Sequence, residues 1–127
     1  MSPADTLPPH ILLVEDEDFL RELVMEILLD AGFDVVEASD GNAGIEALRS
    51  DRRIDMLLSD IKLPDIDGYQ VAEAGNALRP GLKVILMTGY APSPLPVSLQ
   101  SVVHRVLQKP FSLDTLPGMV TAALAAA

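Results

Sequence analysis

Short aliphatic runs alternate with amphipathic stretches along most of this chain. His10-Ile11-Leu12-Leu13-Val14 is a continuous apolar run, the pattern of a strand buried on both faces rather than one. Phe19, Leu20, Leu23, Val24, Ile27, Leu28 and Ala31 then recur with helical spacing, and Gly32 stands where a helix C-cap belongs. Residues 33–38 read as a second short strand, and Asp40 as the cap of a weaker helix carrying Ile45, Ala47 and Leu48. Met56-Leu57-Leu58 is a third strand. Pro64 and Gly68 bracket a loop, and Tyr69 to Arg79 reads as a helix stopped by Pro80-Gly81. Residues 82–87 give a fourth strand, Val103 to Leu107 a fifth, and the Ala-rich stretch from Ser112 a last helix. Residues 1–9 hold three prolines and no period, which predicts a mobile tail. The order β-α-β-α-β-α-β-α-β over residues 10–127 predicts one α/β domain, a parallel sheet with helices on both faces.

Composition narrows the classes. A chain of 127 residues, 49% hydrophobic, is long enough for one real core. Three Phe, two Tyr and no Trp make that core aliphatic. The absence of Cys removes disulfide frameworks, thiol catalysis and Cys-ligated zinc, and agrees with a reducing, cytoplasmic setting. No apolar run approaches 18 residues, and the N-terminus lacks the pattern of a signal peptide, so no membrane partner is expected. A formal net charge of −10 opposes direct nucleic-acid binding. It favours metal cations and basic protein patches.

In a parallel α/β sheet, ligands sit outside the carboxyl ends of the strands. Glu15-Asp16 follow the first strand, Asp60 the third, Thr88 the fourth and Lys109 the fifth. A carboxylate closing a buried strand is costly unless something uses it. Each residue alone has an ordinary reading: a loop acid, a β-former, a surface lysine, or a solvated charge run in which Asp18 caps the first helix. Together they point to one site. Three crowded carboxylates raise one another's pKa or recruit a cation. An all-oxygen site suits Mg²⁺, with Mn²⁺ as a substitute. Lys109 supplies a positive charge, Thr88 a hydroxyl, and Gly89 room for an incoming group. This is the equipment of a phosphoryl-transfer site with Asp60 as nucleophile. His10 and His104 have no paired ligands and read as structural or exposed; Asp65 and Asp67 read as loop and cap acids, and the Lys62 side chain as solvent-facing.

Four segments carry a resemblance to response-regulator receiver domains. They are Ile11-Leu12-Leu13-Val14-Glu15-Asp16-Glu17, Leu58-Ser59-Asp60-Ile61-Lys62-Leu63-Pro64 with Asp67-Gly68, Met87-Thr88-Gly89-Tyr90, and Lys109-Pro110-Phe111. The resemblance covers residues 10–126. It implies a flavodoxin-like (βα)5 three-layer sandwich with sheet order 2-1-3-4-5. It implies that Asp60 accepts a phosphoryl group from a histidine kinase or a histidine phosphotransfer protein and signals to an output protein. Mg²⁺ would be held by Asp16, Asp60 and the Lys62 backbone carbonyl, with Glu15 acting through water. Thr88 would move toward the phosphoryl group, Lys109 would hold it, and the Lys109-Pro110 bond is a cis candidate. On this reading the chain is a monomer or weak dimer. It is no enzyme beyond its own Mg-dependent phosphotransfer and dephosphorylation. The Thr-Gly-Tyr ending is similar to receivers of hybrid histidine kinases and some single-domain regulators.

Three places depart from the family's pattern. Ala91-Pro92-Ser93-Pro94-Leu95-Pro96 places three prolines where a fourth helix would begin. They predict an extended or irregular segment with at most a short helix around Val97 to Val102. Val106 stands three residues before Lys109, where receivers often carry a switching aromatic; Tyr90 either replaces it or shields the phosphoryl group. Pro117-Gly118 implies a last helix that starts near Thr115 or is kinked. Two other functions compete. A degenerate receiver would act as a phosphorylation-independent binding module, against which the intact Asp-Asp-Thr-Lys set argues. A flavin carrier would need a phosphate-cradling loop after the first strand, where Glu15-Asp16-Glu17-Asp18 would repel phosphate.

Overall fold

Continuous aliphatic strands need cover on both faces, and helices supply it here. The computed structural model describes residues 8–90 and 94–126. Its elements run β1 (His10–Val14), α1 (Asp18–Asp30), β2 (Asp34–Ala38), α2 (Gly41–Arg49), β3 (Met56–Asp60), α3 (Gly68–Leu78), β4 (Lys83–Thr88), a 3₁₀ turn (Val97–Leu99), β5 (Val103–Gln108) and α4 (Leu116–Ala125). Among the described residues the five strands form one parallel sheet in the order β2-β1-β3-β4-β5.

The period of two along each strand divides the core. Ile11, Leu13, Met56, Leu58, Ile85 and Met87 pack against Val24 and Leu28 of α1 and Leu116, Val120 and Ala123 of α4. Leu12, Val14, Leu57, Val84 and Leu86 pack on the opposite face against Leu48 of α2 and Val71 and Ala72 of α3. Each fully buried aliphatic side chain contributes roughly 1.5–3 kcal/mol. β5 carries a bulge: Val84 faces Val103 but Ile85 faces Arg105, which leaves His104 as the extra residue.

Helix ends follow side-chain chemistry. Asp40 accepts the Ala43 N–H (2.7 Å) and caps α2. Asp67 and Gln70 form a capping box on α3. Gly32, at φ +96, follows the last turn of α1. Asp18 does not cap α1 as the sequence led us to expect. The Glu15 carboxylate takes the Glu17 N–H (3.1 Å), Glu17 becomes the N-cap, and Asp18 falls in the first turn. α4 begins at Leu116 with Pro117 in its first turn, where a missing N–H has no helical partner to lose.

Among the described residues between β4 and β5 the crossover has a 3₁₀ turn and no α-helix, and Leu99 from that turn is fully buried against the α2–α3 side of the sheet. Of the segment expected to be irregular, residues 91–93 lie outside the described residues and 94–96 have no regular structure. The expected N-terminal tail likewise falls outside them except for residues 8 and 9. There the Pro9 carbonyl accepts the Asp34 N–H (2.9 Å).

Candidate functional site

Parallel strands end on one edge, so residues far apart in sequence meet there. Glu15 and Asp16 leave β1, Asp60 closes β3, Thr88 closes β4, and Lys109 follows β5. Glu15 is 0% exposed, Thr88 6% and Asp60 7%, while Asp16 is exposed. One carboxylate oxygen from each of Glu15, Asp16 and Asp60 lies within 4.8 Å of the others. The Lys109 ammonium donates to Glu15 Oε1 (2.6 Å) and to Asp60 Oδ2 (3.0 Å).

Three carboxylates lie together and a single ammonium, Lys109, is hydrogen-bonded to them; this excess of acidic oxygen suits a divalent cation. Burial, then the hydrogen bond and charge of Glu15, hold the Asp16 carboxyl above its ordinary range. Burial pulls the Lys109 ammonium down, but its bonds to Glu15 and Asp60 outweigh that and leave its pKa raised. Lys109 therefore stays charged at neutral pH.

The backbone holds Asp60 closely. The Ile61 N–H donates to the Met87 carbonyl (2.8 Å), and the Gly68 N–H to the Ile61 carbonyl (2.6 Å). A β-carbon at Gly68 would overlap the Asp60 carbonyl oxygen, so the loop closes this tightly only over glycine. Asp65, read from sequence as a loop acid, reaches across to accept the Gly41 (2.9 Å) and Asn42 (2.8 Å) N–H groups at the start of α2. Burial raises its carboxyl, but backbone bonds, from Asn42 and Gly41 first and then from Ile66 and Asp65 itself, outweigh this and set it below the ordinary range. The bonds from Gly41 and Asn42 span more than 20 residues and leave no local pattern to read.

The opposite wall is β4 with Gly89 and Tyr90 beyond it. Thr88 Oγ1 accepts the Tyr90 N–H (3.1 Å). A β-carbon on Gly89 would meet nothing within 4 Å, so space is open beside Thr88. Tyr90 is 59% exposed. Its hydroxyl accepts from the Lys62 ammonium (2.9 Å), which lies 5.3 Å from the ring centroid. Lys62 is exposed, yet its side chain is engaged rather than free in solvent. Asp16, Asp60, Lys62, Gly89, Tyr90 and Lys109 line one cleft of about 440 Å³. Val106 faces Leu86 across the ladder and packs with the α2–α3 side of the core. The Lys109–Pro110 peptide bond is cis. Sequence reading missed Arg21, whose guanidinium binds the Glu15 carbonyl.

Comparison with known proteins gives a consistent result. The family described as the response regulator receiver domain matches residues 11–121. The response regulator receiver protein CpdR of Brucella abortus is 34% identical over 119 residues, covering 93% of this chain and 98% of that protein. The chain spans 24% of the length of the first curated relatives it matches, Escherichia coli transcriptional regulatory proteins 33% identical to it. A CheY-like response regulator receiver domain protein from Methanospirillum hungatei superposes with a TM-score of 0.84 at 29% identity, covering 92% of this chain and 94% of that one. The response regulator TrrA of Thermotoga maritima, solved in complex with Mg²⁺-BeF, superposes with a TM-score of 0.77 at 30% identity, covering 91% and 98%.

Proposed function

Because this chain belongs to the family of response regulator receiver domains, the receivers of two-component signalling, we propose that Asp60 is its phosphoacceptor and residues 10–127 its receiver domain. The observation that carries this is the Lys109 ammonium bridging Glu15 and Asp60 beside a third carboxylate, Asp16. The phosphoryl donor is the phosphohistidine of a histidine kinase or a histidine phosphotransfer protein. A cytoplasmic location goes with such a donor.

The donor set fits a hard divalent cation. Asp16, Asp60 and the Lys62 carbonyl would hold Mg²⁺, or Mn²⁺ in its place, with Glu15 acting through water. When bound, the ion neutralises charge on the phosphoryl oxygens. The chain's residues do the rest. An Asp60 oxygen attacks phosphorus as the phosphorus–nitrogen bond of the donor histidine breaks, and the electron pair leaves with the imidazole. Lys109, now 3.0 Å from Asp60 Oδ2, moves its bond to a phosphoryl oxygen. The Thr88 hydroxyl, which accepts the Tyr90 N–H, is free to donate to another. That TrrA was solved with Mg²⁺-BeF supports the same pairing of metal and phosphoryl mimic here.

Beryllofluoride tests this directly. With Mg²⁺ present, the amide resonances of Asp60, Thr88 and Lys109 are expected to shift, and EDTA to reverse the shifts. Unmoved resonances would refute the phosphoacceptor reading and favour a phosphorylation-independent binding module.

The Lys62–Tyr90 pair joins the two loops at the mouth of the cleft. An exposed cation–π contact of this kind is worth roughly 0.5–1 kcal/mol. In Tyr90→Ala the acyl phosphate is expected to hydrolyse about two- to fivefold faster, because water reaches it more often. An unchanged lifetime in a phosphate-release assay would remove the shielding role.

A further inference from the structure

Four acids in a row, Glu15 to Asp18, leave β1 together, and one side chain on α1 holds that run in shape. Arg21 is 12% exposed. Its Nη1 donates to the Glu15 carbonyl (2.9 Å) and its Nη2 to Asp18 Oδ1 (2.7 Å). Its Nε lies 3.5 Å from Glu37 Oε1 on the edge strand β2. One planar fork thus ties the acidic loop to the first turn of α1 and to β2.

We propose that Arg21 is a positioning residue for the metal site, fixing the peptide between Glu15 and Asp16 and so the direction in which the Asp16 carboxylate points. The proposal rests on the reading of Glu15, Asp16 and Asp60 as that site. A peptide unit is planar, so holding the Glu15 carbonyl also fixes the Asp16 nitrogen and Cα. The Glu15 N–H is held from the other side by the Ala38 carbonyl (3.1 Å). Its carboxylate is held by the Glu17 N–H and Lys109. Its carbonyl takes a donor from α1, and Arg21 provides it. Lysine would keep the charge, but its donors radiate from one nitrogen, whereas Arg21 reaches its three partners from three separate nitrogens of a rigid fork.

Geometry and charge make opposite forecasts, which makes the test sharp. Removing a cation from the neighbourhood of a metal site tightens metal binding if Arg21 acts only by its field. Removing the fork loosens it if Arg21 positions the loop; losing an outer partner of a metal ligand commonly weakens affinity about 10–100-fold. Mg²⁺ is titrated by calorimetry into wild type, Arg21→Gln and Arg21→Lys, with metal-free melting recorded for each. We expect both variants to bind Mg²⁺ about tenfold more weakly, with Lys restoring little. Wild-type or tighter affinity in Arg21→Gln, or full rescue by Lys, would overturn the proposal. If Arg21→Gln does not fold, Arg21→Lys, which keeps the charge, decides alone. A wild type that binds no Mg²⁺ would instead overturn the site reading on which the proposal stands.

Discussion

Asp60→Asn is expected to lose phosphotransfer while leaving the metal-free fold as stable as wild type or slightly more so. A carboxamide cannot form the acyl phosphate, and removing a covalent nucleophile lowers transfer by about 1000-fold or more. The stability forecast comes from the neighbours. Asp60 is 7% exposed and shares its cluster with Glu15 and Asp16. Replacing one of three crowded carboxylates relieves repulsion, and the Asn oxygen can still accept from Lys109, now 3.0 Å from Asp60. Transfer of label from a phosphohistidine donor in Mg²⁺, and melting in EDTA, check the two halves separately. Label persisting on the variant would overturn the central assignment. A large drop in melting temperature would show that Asp60 is held chiefly by its bond to Lys109 and not strained by its acidic neighbours.

The sheet was legible because its signals are local. Continuous aliphatic runs marked β1, β3 and β4, and the prolines at 92, 94 and 96 marked an irregular crossover, whose described residues hold a 3₁₀ turn. Asp40 and Asp67 announced their helices by position alone. Strand ends were harder. The ladder carries β3 through Ser59 to Asp60, paired with Met87, although the apolar run stops at Leu58. Asp18 falls in the first turn of α1 and not at its cap, and its carboxylate is taken by the Arg21 guanidinium (2.7 Å). What sequence could not show are bonds that depend on the finished fold: Asp65 to the start of α2, Lys62 to Tyr90, and Arg21 to the Glu15 carbonyl and Glu37. Each joins a residue of ordinary local character to a partner chosen by topology. The strand ends supply the reactive groups, and these bonds set how firmly the loops around them are held.

Lys109→Met is expected to lower the stability of the metal-free protein by about 2–4 kcal/mol, toward the lower part of the range for breaking a buried ion pair, because the lysine is partly exposed. Its side chain is 20% exposed, whereas that of Glu15 is 0% exposed. Without the ammonium, the Glu15 carboxylate keeps only the Glu17 N–H as a donor among the described residues, beside two further acids, while Arg21 binds the Glu15 carbonyl and not the carboxylate. The pH dependence has a definite sign. The folded-state pKa of Lys109 lies above the ordinary lysine value of 10.5. Its contribution is therefore fully present below that value and is lost as pH rises through the folded-state pKa. The Lys109 ionisation should therefore leave the gap between wild type and Lys109→Met unchanged through neutral pH and narrow it under alkaline conditions. Urea unfolding in EDTA across that range measures it. Mg²⁺ should return part of the loss, and more to the variant than to wild type if the variant binds it more tightly, because a ligand of the folded state stabilises in proportion to its affinity. Equal stability of the two proteins in EDTA would mean that Glu15 does not need Lys109 as a counter-charge. The bridge would then serve only to keep the ammonium poised beside Asp60 for the arriving phosphoryl group.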